Sequence, residues 1–243
     1  MTSEKRITIV MPAHNESESI EKSVGRLRKS LGHLAFKLIL VDDGSTDETK
    51  KVCESLLDED TELLSYKNNR GKGHALKLGL LKSVTEFSAY IDSDLDLHPH
   101  GIVVGLLELE SRKDITLVGG SKFHENSQVK YPKTRRIYSG AYRFLVWLLF
   151  RLPIKDTQVG LKVFRTADVF PLLQNVTSQG WAFDLELLAR LHGDGKLIAE
   201  IPVSLDFQFN SSVGISSGFR AFVDTILIFK QLRVKRKSSR HIV

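Results

Sequence analysis

Three short polar clusters carry residue types with more chemistry than a surface turn needs. Asp92-Ser93-Asp94 sets two carboxylates two residues apart, and Asp96 follows two further on. Like charges this close are costly unless a cation neutralises them. Hard oxygen donors of this kind suit Mg²⁺ or Mn²⁺, which can bridge to a diphosphate. A solvated acidic turn that caps a helix is the plainer explanation of the same residues. The second cluster is Asp42-Asp43-Gly44-Ser45-Thr46-Asp47. A tight turn and a helix cap account for Gly44, Ser45 and Asp47, but not for two adjacent acids. A carboxylate there can accept hydrogen bonds from a ribose hydroxyl or a base N–H. The third, Asn69-Arg70-Gly71-Lys72-Gly73, is a glycine-rich loop suited to phosphate contact through backbone N–H groups. It is not G-x-G-x-x-G, because Leu76 stands at the third glycine position, and no G-x-x-x-x-G-K-[ST] occurs.

These clusters follow elements that can position them. Residues 7–11, 36–41, 63–66, 87–91 and 115–119 form short, mostly apolar runs that predict buried strands. Ile20, Val24, Leu27 and Leu31 fall at helical spacing within 17–31. Thr46 or Asp47 can cap a helix carrying Val52, Leu56 and Leu57, and further helices are expected over 74–83 and 99–111. The strict alternation of strand and helix predicts an α/β chain with a doubly wound, mostly parallel sheet. Ligands in such sheets sit at the carboxyl ends of the strands. The polar residues at 14–16, 42–47 and 92–96 each follow a strand, so they converge on one edge of the sheet.

The second half is less regular. Residues 138–150 predict an apolar helix packed on the sheet or on lipid, 159–164 a strand, and 184–191 a helix. Residues 197–202 and 205–209 predict strands or a hairpin, and 219–233 a terminal amphipathic helix. The longest purely apolar run, 144–150, is far short of the roughly 20 residues of a spanning helix, and no signal-peptide core precedes Pro12. A cytoplasmic protein that touches a membrane surface is therefore expected. Of 243 residues, 42% are hydrophobic and 26% charged, as in ordinary globular domains. Cys53 is the single cysteine, which excludes an internal disulfide. The formal charge of +6 resides in the tail, where Lys230, Arg233, Lys235, Arg236, Lys237 and Arg240 meet no acid. A neutral body argues against a nucleic-acid binder.

In combination, Met11-Pro12-Ala13-His14-Asn15-Glu16, the acidic cluster at 42–47, the glycine-rich loop and Asp92-Ser93-Asp94 resemble the family 2 glycosyltransferases. The resemblance implies a GT-A fold, a nucleotide-diphosphate hexose donor (UDP- or GDP-linked) and a divalent cation, Mg²⁺ or Mn²⁺. It implies that Pro12, Ala13, Glu16 and Asp42, with Asp43 and Lys72, line the nucleotide. Asp92 would face the donor and Asp94 would hold the metal, with Asp92 and Asp96 as further ligands.

Further on, Gly120-Ser121-Lys122, then Lys133-Thr134-Arg135-Arg136 with Ser139, then the stretch from Asp156 to Arg165, resemble the polyprenyl-phosphate sugar synthases of the dolichyl-phosphate mannose and glucose type. In that subgroup Lys122, Arg135 or Arg136, and Ser139 would receive the acceptor phosphate. The sequence departs from the pattern at His14, where an aromatic is usual, at Asp96, where mannose synthases have glutamine, and at Lys122, where arginine is usual. Within Trp181-Ala182-Phe183-Asp184-Leu185-Glu186, Asp184 has three readings: a base for a hydroxyl acceptor, a residue ordering the acceptor site, or an acid in a first helical turn. His74, His98 and His100 read as loop or surface residues, and Cys53 as a small buried one.

The function expected is inverting transfer of a hexose to a dolichyl or undecaprenyl phosphate. A phosphomonoester, with a second pKa near ~6, is largely dianionic at neutral pH and needs basic partners more than a base. The chain would act as a peripheral protein at the cytoplasmic face of a membrane, held by its last helix and basic tail. It divides as a transferase domain over 1–217, with a nucleotide-sugar half over 1–120 and an acceptor half over 121–217, followed by the helix and tail over 218–243. The alternatives are a relative acting on a sugar hydroxyl, and a nucleotide-binding regulator without activity.

Overall fold

A computed structural model describes residues 5–129, 133–205 and 222–233, with the backbone alone at 133–139 and 141. The first five strands are β1 (Ile7–Ala13), β2 (Phe36–Asp42), β3 (Thr61–Ser65), β4 (Phe87–Ile91) and β5 (Ile115–Ser121). Between them run α1 (Ile20–Ser30), α2 (Thr49–Ser55), α3 (Lys72–Leu81) and α4 (His100–Ser111). After β5 come β6 (Gln128–Val129), α5 (Lys133–Phe150), β7 (Leu161–Arg165), α6 (Thr166–Leu173), α7 (Phe183–Gly193), β8 (Leu197–Pro202) and β9 (Ser204–Leu205). Residues 222–233 form a last helix. The expected continuation of strand to 209, the start of the last helix at 219, and the basic residues beyond 233 lie outside the described residues.

The seven-stranded sheet has the order β3-β2-β1-β4-β7-β5-β8. Each strand pair is parallel except those of β7, which runs antiparallel to both β4 and β5. The chain leaves β5 at the carboxyl edge, and the segment leading into β7 pairs with that same edge, where the Asp92 N–H bonds the Gly160 carbonyl. A strand that starts where its neighbours end must run against them.

Alternation along the strands divides the core into two layers. Ile7, Ile9 and Met11 of β1 face α1, α2 and α4, where Ile20, Leu27, Cys53 and Ile102 are buried. Val10, Ile39 and Tyr90 face the other way, toward Leu76 of α3 and Val169 of α6. α7 is buried from Phe183 to Leu191 on every face, which places it beneath other helices. The helix expected over 74–83 starts earlier, at Lys72, so Lys72 and Gly73 lie in its first turn. The N-cap position of α2 is Glu48 and not Thr46 or Asp47, while the Asp47 carboxylate just before it accepts the N–H of Thr49 (3.0 Å) and that of Ser17 (3.2 Å), tying the start of α2 to the loop after β1.

Candidate active site

The ends of β1, β2 and β4 and the start of α3 enclose a cleft of about 350 Å³. Pro12, Ala13, Glu16, Asp43, Lys72, Asp92 and Asp94 all line it, as does His14. The two adjacent acids at the end of β2 differ in role. Asp42 is 2% exposed, and its oxygens accept from the Ser45 N–H (3.1 Å) and the Ser65 hydroxyl (2.9 Å), so it braces the turn below the cleft. Asp43 accepts from the Tyr66 hydroxyl (2.7 Å) and the Arg70 N–H (2.8 Å), which ties β2 to the glycine-rich loop. Burial and Asp43 push the Tyr66 phenol well above its ordinary range. His14 Nδ1 lies 3.0 Å from the Asp43 carbonyl oxygen.

At the acidic end, Lys72 Nζ sits 2.5 Å from Asp92 Oδ1. The contact is an ion pair without hydrogen-bond alignment, and neither buried atom has a hydrogen-bond partner. Burial pulls the ammonium pKa down, but Asp92, Asp184 and Asp94 outweigh it, so the pKa of Lys72 is raised and the group stays charged. Asp92 donates its N–H to the Gly160 carbonyl (3.1 Å), and a Cβ at 160 would overlap the Asp92 carboxylate. Asp94 stands at the mouth of the cleft. Desolvation in the crowded loop, and then the charge of Asp92, push its carboxyl up to about 6. Arg26 donates to the carbonyl of Leu95 (3.0 Å), whose φ of 45° bends the loop back.

Asp96 donates its N–H to Asp94 Oδ1 (3.1 Å) and its side chain does not line the cleft. Among the described residues no three His, Cys, Asp or Glu side chains gather as a metal site. The expected three-carboxylate set is therefore not assembled, and Asp92 and Asp94 are the pair brought together. Two hard oxygen donors set so close that the charge of Asp92 raises the pKa of Asp94 fit a divalent cation whose other ligands come from a diphosphate.

Asp184 lies behind the cleft, near enough for its charge to act on Lys72 but not among the lining residues. It is 1% exposed, and its Oδ1 accepts from Lys162 Nζ (2.5 Å) and from the Tyr90 hydroxyl. Lys162 Nζ also donates to the carbonyls of Val159 (2.7 Å) and Thr157 (3.3 Å). Burial and then Asp184 hold the Tyr90 phenol far above its ordinary range. The expectation that Asp184 is catalytic is corrected: a general base must reach the acceptor's proton, and this carboxylate is enclosed. Its place in the first turn of α7 is as the sequence reads, and its partners make it an anchor for the turn that supports Asp92.

Lys122 follows the end of β5 on the same sheet edge. Its N–H donates to Asp156 Oδ2 (3.1 Å), and its Nζ is 4.0 Å from that oxygen. Arg135, Arg136 and Ser139 lie in the first turns of α5, which hold no acid, and their side chains are outside the described set. His74 is half-buried in α3 against Tyr66, His98 is half-buried and His100 exposed. Cys53 is buried, its thiol pushed up to about 12 chiefly by desolvation. Three contributors had no role in the sequence reading: Gly160, Lys162 and Trp181. Trp181 lines the cleft with its ring 4.8 Å from Lys72 Nζ. Its position beside a suspected functional acid was the available signal.

A mostly parallel sheet carrying an acid pair at the carboxyl end of β4, beside a glycine-rich helix start, defines the GT-A class of fold. The structure is similar to glucosyl-3-phosphoglycerate synthase from Mycobacterium tuberculosis, crystallised with Mn²⁺, uridine diphosphate and glucosyl-3-phosphoglycerate, with a TM-score of 0.70 and 21% identity over 93% of this chain and 80% of that one. The same synthase has also been crystallised with Mg²⁺ and uridine diphosphate. Residues 8–170 match the profile of Glycosyl transferase family 2, and the chain belongs to that family. It is 28% identical to glycosyltransferase AglD of Haloferax volcanii over 97% of this chain and 39% of that protein. It is 28% identical to the dolichyl-phosphate beta-glucosyltransferase of Dictyostelium discoideum over 82% of this chain and 65% of that protein. The enzyme of that name from Saccharomyces cerevisiae is 25% identical over 95% of this chain and 74% of its own length. The chain thus spans less than two thirds of the first two relatives.

Proposed function

We propose that the chain transfers a hexose, with inversion, from a nucleotide-diphosphate sugar to a polyprenyl phosphate. The donor's diphosphate would lie between Lys72 and the Asp92–Asp94 pair, with its nucleoside along Pro12, Ala13, Glu16 and Asp43. A Mg²⁺ or Mn²⁺ ion held by Asp94, with Asp92, would neutralise the leaving diphosphate. Lys72 would add a second positive charge there. Lys122, Arg135, Arg136 and Ser139 would receive the acceptor phosphate, which makes the segment after 120 the acceptor half.

The observation that carries this reading over a hydroxyl acceptor is the enclosure of Asp184. A hydroxyl must lose its proton as it attacks, and the acid expected to take it is committed to Lys162 and Tyr90. A phosphate dianion attacks without that help. The likeness to dolichyl-phosphate beta-glucosyltransferases points the same way. Among the described residues no helix is long and apolar enough to cross a membrane. Phe144, Trp147 and Leu148 on α5, with Phe222 and Leu227 on the last helix, are exposed apolar side chains. They offer contact with the cytoplasmic face of the membrane that holds the acceptor, and the basic tail would reinforce it.

The test is a turnover panel of UDP- and GDP-hexoses with a polyprenyl phosphate and Mg²⁺ or Mn²⁺. Wild-type protein should transfer sugar to the lipid phosphate and not to a free polyprenol. The Arg135→Ala, Arg136→Ala double variant should lose most acceptor use while nucleotide affinity is retained. Equal loss of nucleotide affinity would move the arginines to the donor site.

A further inference from the structure

The segment between α6 and α7 carries an indole whose exposure the fold does not require. Trp181 is 61% exposed, although Ala182 and Phe183 directly after it are buried. Its mount is built with care for position. The N–H groups of Thr177 (3.0 Å) and Ser178 (2.8 Å) donate to Glu186, which is fully buried and also accepts from Arg190 (2.8 Å). These donors outweigh burial and hold the Glu186 carboxyl below its ordinary range. The carbonyl of Gln179 accepts the His74 N–H (2.9 Å), and Gly180 accepts that of Phe183 (3.2 Å). Gly71 and Gly73 let this strap lie against the start of α3, since a Cβ at either would press on the backbone of Gln179 or Gly180.

A large apolar side chain held this firmly at the mouth of a polar cleft is arranged for a ligand. Its ring lies 4.8 Å from Lys72 Nζ, which is itself 2.5 Å from Asp92 Oδ1. In a nucleotide sugar the anomeric carbon is joined to the terminal phosphorus through one oxygen. A phosphate that pairs with Lys72 therefore puts the hexose within reach of the indole. The ring face is electron-rich, and the C–H groups on one face of a pyranose are slightly positive.

We propose that Trp181 is the platform on which the donor's hexosyl ring rests, so that Lys72 reads the phosphate and the indole reads the sugar beside it. This rests on the nucleotide-sugar reading and adds a residue that discriminates a charged donor from its free nucleotide. Glu186 and Arg190 act as positioning residues for the platform.

Trp147 and Trp181 are the two tryptophans of the chain, so a Trp147→Phe background leaves Trp181 as the sole indole reporter. In that background UDP-glucose or GDP-mannose, whichever binds, should change the emission, and its free diphosphate should change it much less. By calorimetry, Trp181→Leu should lose about tenfold in nucleotide-sugar affinity and less than about twofold for the free diphosphate, with Trp181→Phe recovering most of the loss. Equal losses for sugar-linked and free nucleotide would overturn the proposal in favour of a nucleotide contact. Unchanged donor affinity with a raised KM for polyprenyl phosphate would overturn it in favour of the acceptor. Wild-type protein that binds free diphosphates but gains nothing from the sugar would refute the platform alone, whereas binding of neither would refute the donor reading beneath it.

Discussion

Replacing Lys162 by methionine tests whether the enclosed ion pair is a support or a piece of chemistry. Lys162 is 0% exposed and its ammonium joins the carbonyls of Thr157 and Val159 to the Asp184 carboxylate. Methionine fills much of the volume but leaves that carboxylate buried with only the Tyr90 hydroxyl still donating to the oxygen that Lys162 held. Removing one member of a buried pair costs about 3–5 kcal/mol, because the other is left uncompensated. In a chain of this size that lowers Tm by roughly 6–20 °C. The Lys162→Met, Asp184→Leu double variant removes both charges and should return to within about 2 kcal/mol of the wild type, since apolar replacement of a whole buried pair is often neutral. Urea unfolding of the four proteins closes a double-mutant cycle and yields the coupling directly. Asp184→Asn, which keeps shape and one acceptor, should retain nucleotide binding. A Lys162→Met protein that melts within about 2 °C of the wild type would show that the pair contributes little, and the account of the turn beneath Asp92 would fall with it.

Asp94 gives a pH prediction. Its folded pKa of about 6 lies above its ordinary value of 3.8, so its contribution to stability is present below pH 3.8 and lost as pH rises through 6. With chelator present, Asp94→Asn should therefore raise Tm at pH 7.5 and leave it nearly unchanged near pH 4, and it should abolish the Mn²⁺-dependent gain in nucleotide affinity seen by calorimetry. Removal of residues 234–243 should reduce sedimentation with anionic vesicles, and high salt should release the full chain, because each Lys or Arg near an anionic surface adds about 1 kcal/mol. Serine at Phe144 and Trp147 should lower binding to neutral vesicles as well.

The strands and the convergence of their polar ends were legible because burial on both faces writes itself as mostly apolar runs, as in Ile7–Ala13 and Phe87–Ile91. The cleft residues from β1, β2 and β4 follow from that one regularity. The direction of β7 was not legible, because Leu161–Arg165 has the same composition whichever way it runs. The division of work between Asp42 and Asp43 also escaped: both are acids at one strand end, and it is the hydroxyl of Ser65, the register partner of Asp42 on the neighbouring β3, that takes Asp42 out of the cleft. Asp184 stayed between three readings because a carboxylate in a first helical turn looks alike whether it faces solvent or Lys162. Lys162 stands in the stretch that resembles the polyprenyl-phosphate sugar synthases, but its role was hidden, as a lysine within an apolar strand reads as a surface residue unless its buried partner is known. Helix 166–173 was missed since Pro171 stands inside it.

The reversed strand also governs how the chain comes into being. β4 pairs with β1 on one side and with β7 on the other, and every residue from Phe87 to Ile91 is buried in the finished sheet. During synthesis β4 is complete long before Arg165 exists, so its outer side waits as a bare, mostly apolar edge while some seventy further residues are added. Unpaired edges of that kind recruit other strands, and long-range pairings form late. A fragment that stops after β5 should therefore aggregate even though it contains the nucleotide-binding loops, and one that includes residue 165 should stay dispersed far better. The strand that holds Gly160 against Asp92 thus also ends the interval in which the nascent protein is most vulnerable.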